Sequence, residues 1–185
     1  MAMIGRRMIL AAALLATACQ VARESPNASG GVGINSEDVD FVTNAYQLIM
    51  FDREECALAQ HEANDPKVRA LAAKMLDEAN RFAAQLDPLA AAQGIRPPDI
   101  LRYSLRVRLG HMRIQHGLDF DLTFVEDQIA SHQEALSMHE MMVSSGGSLQ
   151  LRQLAERARA VVIENLHALR ALQQTRTAPA ADPPK

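Results

Sequence analysis

Tryptophan is absent from this sequence of 185 residues, and aromatic side chains make up only 4% of it. β-Branched residues are also sparse, whereas alanine and leucine are abundant, and this balance favours helices over sheets. The content of 48% hydrophobic and 22% charged residues is that of an ordinary globular protein. We therefore expect one all-α domain, because the length leaves little room for a second one.

Motifs that would identify a reaction are also missing. The sequence contains no phosphate-binding glycine loop, no pair of cysteines separated by two residues and no Gly-x-Ser-x-Gly nucleophile elbow. Cys56, one of two cysteines, falls on an apolar helix face, where a small buried hydrophobe is expected. The residue pattern therefore predicts a protein that is not an enzyme and that holds no cofactor.

The N-terminus follows the pattern of an export signal. Arg6 and Arg7 precede an apolar run over residues 8–17, and residues 16–18 (Ala-Thr-Ala) are typical of a cleavage site. The apolar run is too short to span a bilayer as a stable helix. We predict a signal peptide over residues 1–18, whose removal takes away the two arginines and changes the formal net charge from −3 to −5. Because no basic patch remains, we expect no nucleic-acid partner.

Cys19 follows this cleavage site directly, and the sequence Leu-Ala-Thr-Ala-Cys resembles the lipobox of bacterial lipoproteins. In those proteins the cysteine is acylated and becomes the mature N-terminus. The match is incomplete, because Ala16 stands where leucine is preferred. Two interpretations stay open: a lipid-anchored protein whose partner is a membrane, and ordinary signal-peptidase cleavage that leaves a free Cys19. Gln20 is compatible with sorting of a lipoprotein to an outer membrane.

Glycine and proline divide the rest of the mature chain. Residues 19–35 lack apolar periodicity and contain one proline and three glycines, so we predict a flexible tether. Residues 176–185 contain three prolines and are predicted to form a disordered tail. The folded domain is therefore expected over residues 36–175.

Capping signals predict four long helices and one short helix in this domain. The long helices are expected to begin at Ser36, Asp65, Asp119 and Ser148, and the short one covers Asp99–His116. Each long helix carries an apolar stripe at 100° per residue, and four such stripes need one shared core. The predicted fold is an antiparallel four-helix bundle with an extra short helix between the second and third long helices.

Polar residues interrupt these stripes near the middle of the helices. Asp52 lies at the centre of the first stripe, Glu78 on the flank of the second and His132 at the centre of the third. Each is about 13 or 14 residues from the turn of its helix pair, so the three share one level if both turns lie at the same end, as in up-down-up-down topology. Gln128 and Asn165, each about 18 residues from the second turn, are expected to face one another one helical turn deeper.

Three interpretations of this polar layer stay open. A carboxylate in an apolar core is costly unless it is paired, hydrogen-bonded or metal-bound. A hydrogen-bonded layer, for example protonated His132 between Asp52 and Glu78, would set the helix register without binding anything. The same three side chains could instead hold one divalent metal ion such as iron, manganese or zinc, or they could line a pocket for a small ligand.

Short motifs spread over most of the mature chain carry a resemblance to a known family. In chain order they are Asp-Phe-Val at 40–42, Lys-Met-Leu-Asp at 74–77, Gly-Ile at 94–95, Phe-Asp at 120–121 and His-Ala-Leu at 167–169. With these motifs the chain resembles the exported ferritin-like bundle family catalogued as domain of unknown function 4142, often labelled predicted outer membrane proteins. The resemblance implies a ferritin-like fold and an envelope location, and it brings no established activity.

The sequence departs from the family pattern at the polar layer. Asp52 stands where the family usually has glutamate, and Asp77-Glu78 stands where it has Asp-His. Glu78 keeps a possible ligand there but changes its charge. A di-iron set of four carboxylates and two histidines cannot be assembled from the stripes. We therefore expect a non-enzymatic exported envelope protein; the alternative is a metal-binding ferritin-like protein that acts in metal or redox stress.

Overall fold

The computed structural model describes residues 35–177, with side chains described up to residue 175. This part of the chain is all-helical and contains no strand. Its helices are α1 (Ser36–Glu62), α2 (Pro66–Ala92), α3 (Tyr103–Met112), α4 (Gly117–Ser145) and α5 (Leu149–Thr177). The prediction of an all-α domain with a short helix after the second long helix is confirmed. The predicted signal peptide, Cys19, almost all of the predicted tether and the tail from residue 178 lie outside the described residues.

Side-chain caps and one glycine determine where the first two helices begin and end. Asn35, rather than the expected Ser36, caps α1, because its Oδ1 accepts a hydrogen bond from the amide two residues later at 2.9 Å. Asp65 caps α2 in the same way at 2.8 Å, as predicted. α2 ends ahead of Gly94, whose φ of +69° reverses the chain in a conformation that glycine adopts without strain.

The connection between α2 and α4 differs from the prediction of a helix over Asp99–His116. Only Tyr103–Met112 is helical there. The buried side chain of Gln47 holds the segment before α3 against α1. It donates a hydrogen bond to the carbonyl of Ile100 at 2.9 Å and accepts one from the amide of Arg102 at 2.6 Å. These two backbone groups are therefore bonded to a side chain of α1 instead of to a helical turn.

Two aspartates tie the start of one helix to the turn of another pair. Asp38, near the start of α1, accepts hydrogen bonds from the amides of residues 147–148 in the turn between α4 and α5. Asp121, near the start of α4, accepts from the amides of residues 64–65 in the turn between α1 and α2. The two turns thus lie at opposite ends of α1, about 40 Å apart. The assumption that both turns share one end of the bundle is wrong.

The apolar core contains two main clusters, one toward each of these ends. α1 and α5 each pack against both α2 and α4. The cluster at the start of α1 includes Phe41, Leu86, Met142 and Leu154. The cluster at the end of α1 includes Ala59, Met75, Phe124 and Leu169. On every long helix the middle of the helix separates the two clusters, and the polar side chains are found at this level. Within residues 35–177, no helix combines the length and the apolar character needed to cross a membrane.

We expect Leu154→Ala to lower the free energy of unfolding by about 2–5 kcal/mol, because Leu154 is buried in the first cluster and its truncation leaves a cavity. Leu149→Ala is the matched control on the same helix. Leu149 is 56% exposed, so its change should stay within about 0.5 kcal/mol. Urea unfolding followed by circular dichroism measures both changes. Equal losses in the two variants would contradict the packing of α5.

Candidate functional site

The level between the two apolar clusters contains a cavity of about 240 Å³. Side chains from all four long helices line it, and the polar lining residues that are not exposed are Asp52, Glu78, His132, His139 and Asn165. The exposed residues at its rim belong to α2 and α5, so the cavity opens between these two helices. The structure therefore brings the three candidate ligands, Asp52, Glu78 and His132, to the wall of one cavity.

Asn165 links three helices at this level. Its Nδ2 donates a hydrogen bond to Glu78 Oε2 at 2.8 Å and lies 3.4 Å from His132 Nε2. Its Oδ1 accepts a hydrogen bond from Lys74 Nζ at 2.8 Å. Lys74 Nζ also lies 2.9 Å from Glu78 Oε1 and 3.0 Å from Glu164 Oε1, so each of its three hydrogens has an acceptor. The polar groups of α2 and α5 thus satisfy one another.

The orientation of Asn165 determines the role of each nitrogen of His132. Because Asn165 Oδ1 accepts from Lys74, its amide nitrogen faces the imidazole, and Nε2 of the ring must accept. The other ring nitrogen, Nδ1, lies 3.0 Å from the carbonyl of Gln128, which can only accept, so Nδ1 donates. Both nitrogens of His132 are therefore engaged by the protein itself.

Asp52 supplies an acceptor atom that has no hydrogen-bond partner in the described part of the chain. The residue lines the cavity, but its Oδ1 is shielded from solvent and unpaired. Burial raises the pKa of the Asp52 carboxyl, and a charged His132 ring would act in the opposite direction. The carboxyl therefore holds its proton more strongly than an exposed aspartate does, and Oδ1 remains able to accept a hydrogen bond.

Glu55 is a second buried acid at this level, and the sequence analysis does not identify it. It is fully buried, and its Oε2 accepts a hydrogen bond from Gln128 Nε2 at 2.9 Å. Burial raises the pKa of the Glu55 carboxyl well above its usual range, and the negative charge of Asp127 raises it further. Gln128 and Asn165, expected to face one another, lie in separate pairs: Gln128 bonds Glu55 and Asn165 bonds Glu78.

The sequence could have revealed the buried acid Glu55, but it could not have revealed the ion pair between Arg108 and Asp127. Helical phase could identify Glu55, because it lies three residues after Asp52 on the same face of α1. Arg108 and Asp127 pair between α3 and α4, with Arg108 Nε 2.9 Å from Asp127 Oδ1, and no periodicity within one helix relates them. The guanidinium also lies 4.6 Å from the ring centroid of Phe51.

His139 is held between two aromatic rings at the wall of the cavity. The ring centroids of Phe41 and Phe82 lie 5.6 Å and 5.4 Å from the imidazole. Burial lowers the pKa of His139 to about 4, and a charged His132 ring would contribute in the same direction. Its Nδ1 has no hydrogen-bond partner among the described residues. His139 is therefore a neutral ring at neutral pH.

Neither an activated thiol nor a formed metal centre is found in residues 35–177. Burial raises the pKa of the Cys56 thiol well above its usual range, and the negative charge of Asp52 raises it further. A thiol that resists ionisation is a poor nucleophile and a poor metal ligand. In the same residues, no group of three His, Cys, Asp or Glu side chains is placed to hold a metal ion.

Comparison with known proteins assigns a family. The family described as "Domain of unknown function (DUF4142)" matches residues 23–172. The chain belongs to this family. The crystal structure of a DUF305 fragment from Deinococcus radiodurans is similar to this DUF4142 chain, with a TM-score of 0.66 and 14% sequence identity. The similarity covers 74% of this chain and 94% of the fragment, and at this identity it shows the fold alone. No curated protein matches the DUF4142 chain.

We expect His139 to make the stability of this DUF4142 protein depend on acid. Its folded-state pKa of about 4 lies below the 6.5 of an ordinary histidine, so the unfolded chain takes up the proton first as the pH falls. The contribution of the neutral His139 ring to the free energy of unfolding is fully present above about pH 6.5. Up to about 3 kcal/mol of this free energy is lost as the pH falls toward 4. Urea unfolding across this range measures it.

His139→Leu should remove this part of the pH dependence, because leucine fills the site without titrating. The matched control is His61→Leu. His61 is exposed on α1, so this variant should show the same pH dependence of stability as the wild type. A His139→Leu variant that keeps the wild-type slope would contradict the assignment of the effect to this ring.

Proposed function

We propose that this chain is a non-enzymatic protein of the bacterial cell envelope, exported and anchored in a membrane through an acylated Cys19, whose helical bundle acts by binding or by structural support. The observation that carries the non-enzymatic assignment is the closure of the mid-bundle network. Lys74, Asn165 and His132 use their donors and acceptors on one another and on Glu78. A buried network in which each member has a partner within the protein makes the core rigid without needing a ligand, which supports a structural role.

The network has a structural role in this proposal, since it sets the register of the helices. A shift of α5 by one turn would separate Asn165 from Glu78 and leave the buried Asn165 amide without this partner. Glu78 would keep its ion pair with Lys74 on the same helix. A buried polar layer of this kind selects one arrangement among several that the apolar clusters alone would allow. We infer that the layer serves the specificity of helix packing rather than chemistry.

The envelope location rests on the residues that precede the bundle. Residues 1–18 have the pattern of a signal peptide, and Cys19 follows the cleavage site directly. Residues 20–34 then separate the proposed acylation site from the first described residue, Asn35. Gln20 supports onward sorting to an outer membrane where the host has one.

We also propose that the bundle has the antiparallel four-helix arrangement of ferritin-like proteins. The hydroxyl of Tyr46 donates to Asp87 Oδ1 at 2.6 Å, and Arg53 Nε donates to Asn80 Oδ1 at 2.8 Å, so rising residue numbers in α1 meet falling numbers in α2. The turn between α1 and α2 and the turn between α4 and α5 lie at opposite ends of α1. The connection between α2 and α4 must therefore run back along the length of the bundle. One long crossover of this kind is a feature of ferritin-like folds, which supports the proposal.

A metal-binding function in metal or redox stress is the second candidate, and one observation favours it. Asp52 Oδ1 is buried without a partner among the described residues, and Asp52 lines the same cavity as Glu78 and His132. Carboxylate and imidazole groups suit iron, manganese or zinc. An ion bound at His132 Nε2 would, however, have to displace the contact with Asn165.

Fractionation of cells tests the anchor. We expect the wild-type protein to sediment with membranes, and Cys19→Ala to release it into the soluble fraction or to leave the precursor unprocessed, because the acylation site is lost. Cys56→Ala is the matched control, since Cys56 is buried in α1 and cannot be acylated in the folded protein. Immunoblots of both fractions measure the distribution. Recovery of the wild type in the soluble periplasmic fraction would refute the lipid anchor.

Metal analysis separates the two candidate functions. If the layer is structural, no divalent ion copurifies with the mature protein, and a chelator leaves the melting temperature unchanged. If Asp52, Glu78 and His132 hold an ion, about one equivalent remains after dialysis, and the chelator lowers the melting temperature because the ion stabilises only the folded state. Elemental analysis and thermal melts measure the two quantities.

Two variants make this comparison specific. Asp52→Asn removes a charged ligand of the candidate site, so a metal-binding protein would lose both the ion and the response to chelator. Glu140→Gln removes a carboxylate from the exposed side of α4 and should change neither quantity. A stoichiometric ion that survives in wild type and Glu140→Gln but not in Asp52→Asn would reject the structural proposal.

A further inference from the structure

Helix α3 has apolar residues on two opposite sides. The residues buried against the bundle are Leu105, Leu109 and Met112. Tyr103, Val107 and Ile114 are 75%, 51% and 70% exposed. At 100° per residue Tyr103 and Val107 share one side of α3, which is opposite to the buried side, and Ile114 follows the end of the helix by two residues. A helix that is apolar on both sides is normally covered on both, and the described part of the chain covers one of them.

The exposed apolar residues are concentrated around this helix. In residues 35–175, six of the ten large hydrophobic side chains that are exposed lie between residues 100 and 122. Ile100 precedes α3 at 68% exposure, and Leu118 follows it at 65%. We name Ile100, Tyr103, Val107, Ile114 and Leu118 the α3 apolar surface. Single exposed apolar residues need no explanation, but a concentration of them indicates an interaction surface.

The same segment is basic, although the protein as a whole is acidic. Residues 96–113 contain five arginines and one acid, Asp99, whereas the chain has a formal net charge of −3. Three of the arginines pair with carboxylates of α1 and α4. Arg96 and Arg106 have no carboxylate partner in the part of the chain that is described, and the Arg106 guanidinium lies 6.0 Å from the Tyr103 ring. The charge beside the α3 apolar surface therefore complements an anionic partner.

We propose that the α3 apolar surface docks onto a membrane surface that contains anionic phospholipids. The apolar side chains enter the interfacial region, Tyr103 lies at the level of the headgroups, and Arg96 and Arg106 contact lipid phosphates. The shape of this region favours a bilayer over a protein partner. Because α3 packs on α1 and α4 from outside, its outer side is a ridge, which a fluid lipid surface can accept without a complementary groove.

The position of α3 also suits a chain anchored at Cys19. Contacts with Gln47 and Glu54 place α3 along the middle of α1, about 18 Å from the start of α1. The chain from Cys19 to Asn35 can reach at most about 55 Å. A bundle tethered in this way can therefore rest its α3 side on the membrane that holds the anchor. The docking surface does not itself depend on the anchor, and its test uses protein without lipid.

The test is cosedimentation of the chain from residue 19 onward, carrying Cys19→Ala, with vesicles. We expect it to bind vesicles that contain phosphatidylglycerol, to bind phosphatidylcholine vesicles more weakly, and to lose the difference as salt is added. The double variant Tyr103→Ser and Ile114→Ser should bind phosphatidylglycerol vesicles about tenfold less, because two exposed apolar side chains no longer enter the interface. Its thermal midpoint should equal that of the parent, since both side chains are exposed.

Matched controls separate binding through this surface from nonspecific hydrophobic binding and from an effect of net charge. Met141→Ser with Leu149→Ser removes two apolar side chains that are 64% and 56% exposed elsewhere on the bundle, and it should bind like the parent. Arg106→Gln should reduce the preference for phosphatidylglycerol. Arg170→Gln, which makes the same change in net charge on the exposed side of α5, should not.

Several outcomes would overturn the proposal. Failure of the parent to bind phosphatidylglycerol vesicles, unchanged binding of the Tyr103→Ser and Ile114→Ser variant, or an equal loss in the Met141→Ser and Leu149→Ser control would each do so. Sedimentation of the parent as a dimer that this Tyr103 and Ile114 variant converts to a monomer would assign the surface to a second copy of the chain instead. A lower thermal midpoint of the variant would show that the protein itself covers the surface.

Discussion

The hydrogen bond between Asn165 and Glu78 joins α5 to α2 at the level where the two apolar clusters meet. Its net contribution to stability is modest while it is intact, but a buried polar group such as the Asn165 amide costs about 1–3 kcal/mol when it is left without its partner. Asn165 also contacts Lys74 and His132, so a shift of α5 along its axis would break three contacts at once. The apolar clusters supply most of the buried surface, and this side chain decides at which level the helices meet.

Much of this level can be predicted from the sequence, because polar residues within an apolar stripe are visible from helical phase alone. Asp52, Glu78 and His132 line one cavity although the assumption about the turns is wrong. The reason is that each of them lies near the middle of a helix of 27 or 29 residues. The middle of a helix is equally far from both ends, so counting from a turn gives the same level whichever end that turn occupies.

Features that depend on contacts between helices could not be predicted in the same way. Asn165 contacts Glu78 and His132 directly instead of lying one turn deeper. The rotation of α4 about its axis decides the partner of Gln128, which bonds Glu55 on α1. The limits of α3 depend on Gln47, a residue more than fifty positions earlier that replaces helical hydrogen bonds in the preceding segment. The apolar pattern of α3 is also ambiguous, because apolar residues on opposite sides do not reveal which side is buried.

The polar level has an excess of hydrogen-bond acceptors, and the excess bears on whether the cavity holds an ion. Asp52 Oδ1, Glu55 Oε1, Asp127 Oδ2 and Gln128 Oε1 are buried and unpaired within the described residues, and a carboxylate oxygen donates only when it is protonated. Burial raises the pKa values of Asp52 and Glu55, which adds donors where they are lacking. The level can thus be satisfied by retained protons. A cation bound at Asp52 in the cavity would have to displace the proton of that carboxyl, so its affinity would rise with pH. A structural layer kept intact by its protons would instead weaken as the pH rises.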